Sequence, residues 1–214
     1  MSISLQEELI FSKWRICCPQ FVSDGVVEEN CYIESQPRIL FIFKEASLSN
    51  GNLDLREVLR SGFRSETWDN ITRWVEGIRN ISEDISWFKL VSMTVERRRE
   101  VLRTIAVMNL QKSLLIEDPK KNSLINKEYW NQQFSLYEAD IIVCCGTDVK
   151  HVVHRLVNIL RNPKWQVTSR GISYHEYLPN KHLIAYVHPE ARVTNNLLYY
   201  GIVDAVREIR RKYL

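Results

Sequence analysis

The sequence predicts an α/β fold: three layers, α/β/α, with a central four-stranded parallel sheet between two sets of helices. Three observations carry that prediction. Four short apolar runs, Arg38–Phe43, Ile105–Leu110, Asp140–Cys145 and Leu183–Val187, are apolar at consecutive rather than alternating positions. A strand covered by helices on both faces needs both sets of side chains apolar. Segments with helical periodicity separate the runs, and strand alternating with helix is how right-handed crossovers build a parallel sheet. The chain has 214 residues, 45% hydrophobic and 26% charged, which fits one globular domain over 1–214 and excludes a disordered chain. A domain of this length buries roughly 70% of its unfolded surface, enough to fold without a disulfide or metal.

The elements follow in order. Residues 1–36 read as a flanking helix and loop. Pro37 introduces the first run. Thr67–Ile78 sets Trp68, Ile71, Val75 and Ile78 on one helical face, and Val95–Leu102 carries the charged stretch Glu96-Arg97-Arg98-Arg99-Glu100. Tyr129–Tyr137 leads into the third run. Thr147 is the expected cap of a helix that turns Val149, Val152, Val153, Leu156, Ile159 and Leu160 inward. Trp165–Tyr177 reads as an extra hairpin turning at Ser169-Arg170-Gly171. Asn195 or Asn196 caps a last helix, with Leu198, Ile202, Val206, Ile209 and Tyr213 inward and Arg207, Arg210, Arg211 and Lys212 outward.

Charge and cysteine usage narrow the function classes. A net charge of +3 permits a nucleic-acid partner without requiring one. No apolar run reaches the roughly 18 residues of a membrane helix, and the first residues carry neither a basic nor an apolar leader region, so a cytoplasmic protein with no membrane partner is expected. The five cysteines, Cys17, Cys18, Cys31, Cys144 and Cys145, include two adjacent pairs and no C-x-x-C spacing. That argues against a metal site. No glycine-rich dinucleotide, phosphate-loop or nucleophile-elbow motif is present, and no cofactor is expected.

In open α/β sheets ligands bind beyond the carboxyl ends of the strands. After the first run come Lys44-Glu45-Ala46-Ser47. The second ends in Asn109, with Lys112 three residues on. Gly146-Thr147 follow the third, and His188-Pro189-Glu190-Ala191-Arg192 follow the fourth. This ordered set resembles the uracil-DNA glycosylase superfamily, across Arg38 to Arg192. There a first strand ends in a Gly-Glu-Ala-Pro-Gly-like motif, a second in Asn with a later Lys, a third in a helix-opening Gly, and a fourth in His-Pro-Ser.

The resemblance implies a parallel sheet ordered second, first, third, fourth, and a hydrolase of the N-glycosidic bond that releases a damaged base from DNA. The alternative is a member of the same fold that binds a nucleobase or nucleic acid without hydrolysis. By carry-over, His188 donates to the base oxygen that gains charge, an oxyanion-hole role, and Glu45 orients the attacking water. Asn109 reads the base edge, with Ala46 and Ser47 beside it. Lys112, Gly146, Thr147 and Arg192 hold DNA phosphates. The departures are Lys44 for the opening glycine, Ala46 where active relatives carry the water-activating carboxylate, and Glu190 for the serine that meets phosphate. No iron–sulfur cluster is implied, because the paired cysteine spacing near the N-terminus is missing.

Overall fold

A computed structural model describes residues 1–18, 20–45, 54–113, 123–146 and 148–211. The chain opens with α1 (Ile3–Cys17), whose start is capped by the Ser2 hydroxyl and by the Glu29 carboxylate, which accepts from the Ile3 and Ser4 N–H groups at 2.7 and 2.9 Å. Then come β1 (Gly25–Val26), α2 (Glu29–Glu34), β2 (Ile39–Glu45), α3 (Leu55–Arg60), α4 (Glu66–Arg79), α5 (Trp87–Val91) and α6 (Val95–Leu102). The second half holds β3 (Ala106–Gln111), α7 (Ser123–Ser135), β4 (Ile141–Cys145), α8 (Val149–Leu156), β5 (Gln166–Val167), β6 (Ser173–Leu178), β7 (Lys181–Tyr186) and α9 (Asn195–Arg211).

The four apolar runs become β2, β3, β4 and β7. They pair in parallel in the order β3-β2-β4-β7, which is second, first, third, fourth. The expectation of a four-stranded, wholly parallel sheet is corrected to a seven-stranded mixed sheet, β1-β3-β2-β4-β7-β6-β5. Both edges are finished by antiparallel strands: β1 on β3, and β6 then β5 beyond β7. The expected hairpin at residues 169–171 is the β5–β6 pair. Its second strand makes a further hairpin with β7, turning through Asn180 at φ 62°. Two-residue β1 lacks a readable period, and in β6 only Tyr174 is buried while the remaining residues are half-buried or exposed, as suits a strand near an edge.

Successive side chains on each central strand feed opposite cores. Ile39, Phe41 and Phe43 of β2, with Val143 and Cys145 of β4, pack on α4 and α9 through Ile71, Trp74, Ile78, Ile202 and Val206. Leu40, Ile42, Ile142 and Cys144 pack on α1, α7 and α8 through Phe11, Trp14, Trp130 and Val153. Helices therefore cover both faces, which is the physical cause of the non-alternating runs. The α4–α9 crossing is tight at Gly77, where a Cβ would lie 2.5 Å from Val203 Cγ2.

Two helices differ from their expected extents: α7 spans Ser123–Ser135, beginning six residues earlier and ending two earlier than the segment Tyr129–Tyr137, and α8 is shorter. α8 stops at Leu156 and a 3₁₀ turn covers Asn158–Leu160, so Ile159 is 46% exposed while Leu160 is buried. Val149 and Val153 are buried as expected. Thr147, Lys212, Tyr213 and the side chains of Val152 and Leu156 lie outside the described residues.

Candidate functional site

The carboxyl ends of β2, β4 and β7 meet the N-terminus of α4, and His188 stands there. The loop that carries it is tied down from several sides. The Ala191 N–H donates to the His188 carbonyl at 2.9 Å. The Asn70 side chain, wholly buried in α4, donates to the Pro189 carbonyl at 2.8 Å and to Asn195 Oδ1 at 3.0 Å. Glu190 accepts from the backbone N–H of Thr67 at 3.2 Å and from its hydroxyl. Beneath the imidazole lies Phe43, edge-on to His188 and to Trp68 with ring centroids 5.8 Å apart in both pairs.

This geometry sets the tautomer. His188 Nδ1 accepts the Glu190 N–H at 3.1 Å, so the ring proton of the neutral imidazole sits on Nε2. Nε2 has no partner among the described residues, and the residue is exposed. An anchored imidazole with an outward N–H is a hydrogen-bond donor aimed at whatever occupies the edge of the sheet.

Glu45 ends β2 two residues beyond Phe43, and is exposed. The pleat of the strand places it on the same face as Phe43 and on the same sheet edge as His188. Ala46 and Ser47 lie outside the described residues. Glu190, which departs from the resembled motif, has its carboxylate spent on the N-terminus of α4, where the helix dipole favours an anion.

Asn109 and Lys112 lie inside the protein, away from the open strand ends. Both were expected at an open site, and both are buried, 1% and 3% exposed. The side-chain amide of Asn109 donates to Asp24 Oδ2 at 3.0 Å, and its backbone N–H donates to the same oxygen at 2.7 Å. The Lys112 ammonium pairs with Asp24 Oδ1 inside a box of aromatic rings, with centroids of Trp130, Trp14 and Phe11 at 5.0, 5.4 and 5.8 Å. In this arrangement one amide N–H of Asn109 and the Lys112 ammonium are both engaged by Asp24.

Gly146 donates its N–H to the Tyr186 carbonyl at 2.8 Å. Its φ of +123° is the reason glycine stands there. Thr147 lies outside the described residues, and exposed Asp148 precedes α8, a poor neighbour for phosphate. Arg192 is exposed, four residues after His188.

The sequence reading missed the network that absorbs Asn109 and Lys112. Asp24, wholly buried, also accepts from Gln133 Nε2 at 2.8 Å. Next to it Glu7, from the buried face of α1, accepts the Val26 N–H at 2.9 Å and an Arg56 N–H at 3.3 Å. Burial pushes the Glu7 carboxyl up to about 7, against the pull of the Val26 N–H and Arg56. Burial likewise pushes Lys112 down, with Asp24 opposing. Arg56 closes the network outward onto Asp54 and Glu8, each at 2.7 Å. Two cues were present: Glu7 falls on the apolar stripe of Ile10, Phe11 and Trp14, and Asp24-Gly25 interrupts Phe21–Val27.

Among the described residues no three of His, Cys, Asp or Glu gather as metal ligands, and no helix is long and apolar enough to cross a membrane. Burial pushes the Cys144 and Cys145 thiols up, away from reactivity. No known family matches the chain, and no curated protein matches it in sequence.

Proposed function

We propose that the chain is a uracil-DNA-glycosylase-like hydrolase that cleaves an N-glycosidic bond and releases a damaged base from DNA at the carboxyl edge of β2, β4 and β7. The observation that carries the reading is the anchored His188, whose Nδ1 is held by the Glu190 N–H and whose Nε2 is left to donate. Breaking the bond leaves negative charge on the departing base, and a preorganised donor stabilises charge as it develops. A base reaches such an edge only after being flipped from the duplex, which costs least for damaged or mismatched pairs. Glu45 orients the water, Ala46 and Ser47 border the base, and Arg192 meets a phosphate. In this reading Asn109 and Lys112 shape the site from behind instead of touching substrate. The protein works in the cytoplasm and needs no cofactor.

A second reading, binding of a nucleobase or nucleic acid without hydrolysis, is favoured by the Asn109 amide, which is occupied by Asp24. The deciding assay is release of free base from oligonucleotides carrying uracil, hypoxanthine or a thymine mismatch. The hydrolase reading expects release by the wild type. In His188→Ala, release falls by about 10²–10³-fold with DNA binding kept. Binding with no release at enzyme excess supports the second reading. Neither binding nor release removes both.

A further inference from the structure

A cavity of about 240 Å³ opens at the opposite edge of the sheet, at the amino ends of β4 and β7 under α9. The strands between it and His188 make it a separate place, roughly 15 Å away along β7. Ile184, Val206 and Ile209 form its apolar floor, and His182, 5% exposed, forms one wall. Two charged residues line it. Asp140 is already engaged: one oxygen accepts the Arg38 N–H at 2.8 Å, and the other lies 3.4 Å from the Lys181 ammonium. Arg210, exposed on α9, has no hydrogen-bond or ion-pair partner among the described residues.

An apolar floor with one uncommitted guanidinium at its rim selects an amphiphile with a single negative group. The volume lies below the roughly 300–1,000 Å³ of drug-sized pockets, so the ligand is small. We propose that this cavity binds a small monocarboxylate with an apolar body, its carboxylate on Arg210 and its hydrocarbon against Ile184, Val206 and Ile209. Burial pushes the His182 imidazole down; Glu176 of the neighbouring strand opposes this, and the Arg210 and His175 charges add to it. An anion bound at Arg210 offsets the Arg210 charge, so the His182 ring reports occupancy.

The test is a titration of the full-length protein with benzoate and, separately, with uncharged benzamide, followed by the side-chain NMR signals of His182. The proposal expects a saturable shift with benzoate at a dissociation constant of about 1 mM or below, and at least tenfold weaker binding of benzamide. Arg210→Gln, an exposed substitution that leaves the core intact, should weaken benzoate by about tenfold. Three results overturn the proposal: no saturable shift with benzoate, equal affinity for benzamide, or an affinity unchanged in Arg210→Gln.

Discussion

At the scale of single residues, the buried charges around Asp24 are the most consequential feature of this chain. An ion pair sealed from water stabilises little by itself, since desolvation offsets the attraction, but breaking it strands a charge. Asp24 and Lys112 have side chains 0% and 2% exposed. Lys112→Met should therefore cost about 3–5 kcal/mol, read as a lower midpoint in a denaturant titration. Adding Asp24→Asn should recover part of that loss, and a double variant no better than the single would contradict the pairing. Gly25 is bound to the same network by space. It sits at φ +116°, and a Cβ there would lie 2.0 Å from Glu7 Oε1 and 2.8 Å from the Tyr137 hydroxyl. Gly25→Ala should fail to fold or lose more than about 2 kcal/mol, visible as a fall in melting temperature. In the sequence Asp24-Gly25 gave only the weak cue of a break in an apolar run, which is equally compatible with a turn. Only the fold shows the carboxylate pointing inward.

At the scale of elements, the N-terminus of α4 does two jobs. Ser65 caps it by accepting the Trp68 N–H at 3.3 Å, and Glu190 arrives from the loop after β7 to take the Thr67 N–H. The helix thereby grips the loop that presents His188, with Asn70 as a second grip one turn on. Glu190→Ala should cost about 0.5–1 kcal/mol of stability. It should also loosen His188, seen as mixed tautomers in the ring ¹⁵N signals; an unchanged single tautomer would show that the backbone N–H alone holds the ring. The strand ends carrying Glu45 and His188 were readable, because polar residues after apolar runs mark where a strand leaves the sheet. The tie between Glu190 and Thr67 was not readable: 123 positions separate them, and nothing local couples a loop carboxylate to a distant helix.

At the scale of the whole molecule, the raised Glu7 carboxyl makes stability depend on pH in a definite direction. Its folded value of about 7 exceeds the ordinary 4.5, so between these limits the folded state holds a proton that the unfolded state has released. Stability then falls as pH rises through that window. The loss is on the order of 3 kcal/mol, fully developed above about pH 7. Asp54 works the other way, because its bonds with Arg56 hold its carboxyl below the usual range, and its contribution is lost in acid. Chemical denaturation between pH 5 and pH 8 should show the wild type losing stability relative to Glu7→Gln as pH rises, while His154, His175 and His182, whose imidazoles burial pushes down, add the same opposing rise to both proteins. Equal slopes in the two proteins would mean that Glu7 is not the titrating group.

The apolar runs were sufficient to place the four central strands and their parallel direction, because a strand buried on both faces must be apolar at every position, and that is a local property. Helices α4 and α9 followed from their apolar period for the same reason, and α6 from its charged stretch; the expected Asn195 cap did not, because α9 already includes Asn195 and its side-chain oxygen accepts from Asn70. The β5–β6 hairpin was legible from its Ser169-Arg170-Gly171 turn, but β1 and the place of the hairpin in the sheet, antiparallel on β7, came only with the tertiary structure, since an edge strand owes its place to the partner it joins and not to its own pattern. So did the fate of the polar strand-end residues. Sequence order put Glu45, Asn109, Lys112 and His188 at the same sheet edge. Packing then left Glu45 and His188 open to solvent and drew Asn109 and Lys112 onto Asp24, because a buried carboxylate must find donors and these were the ones the fold placed within reach.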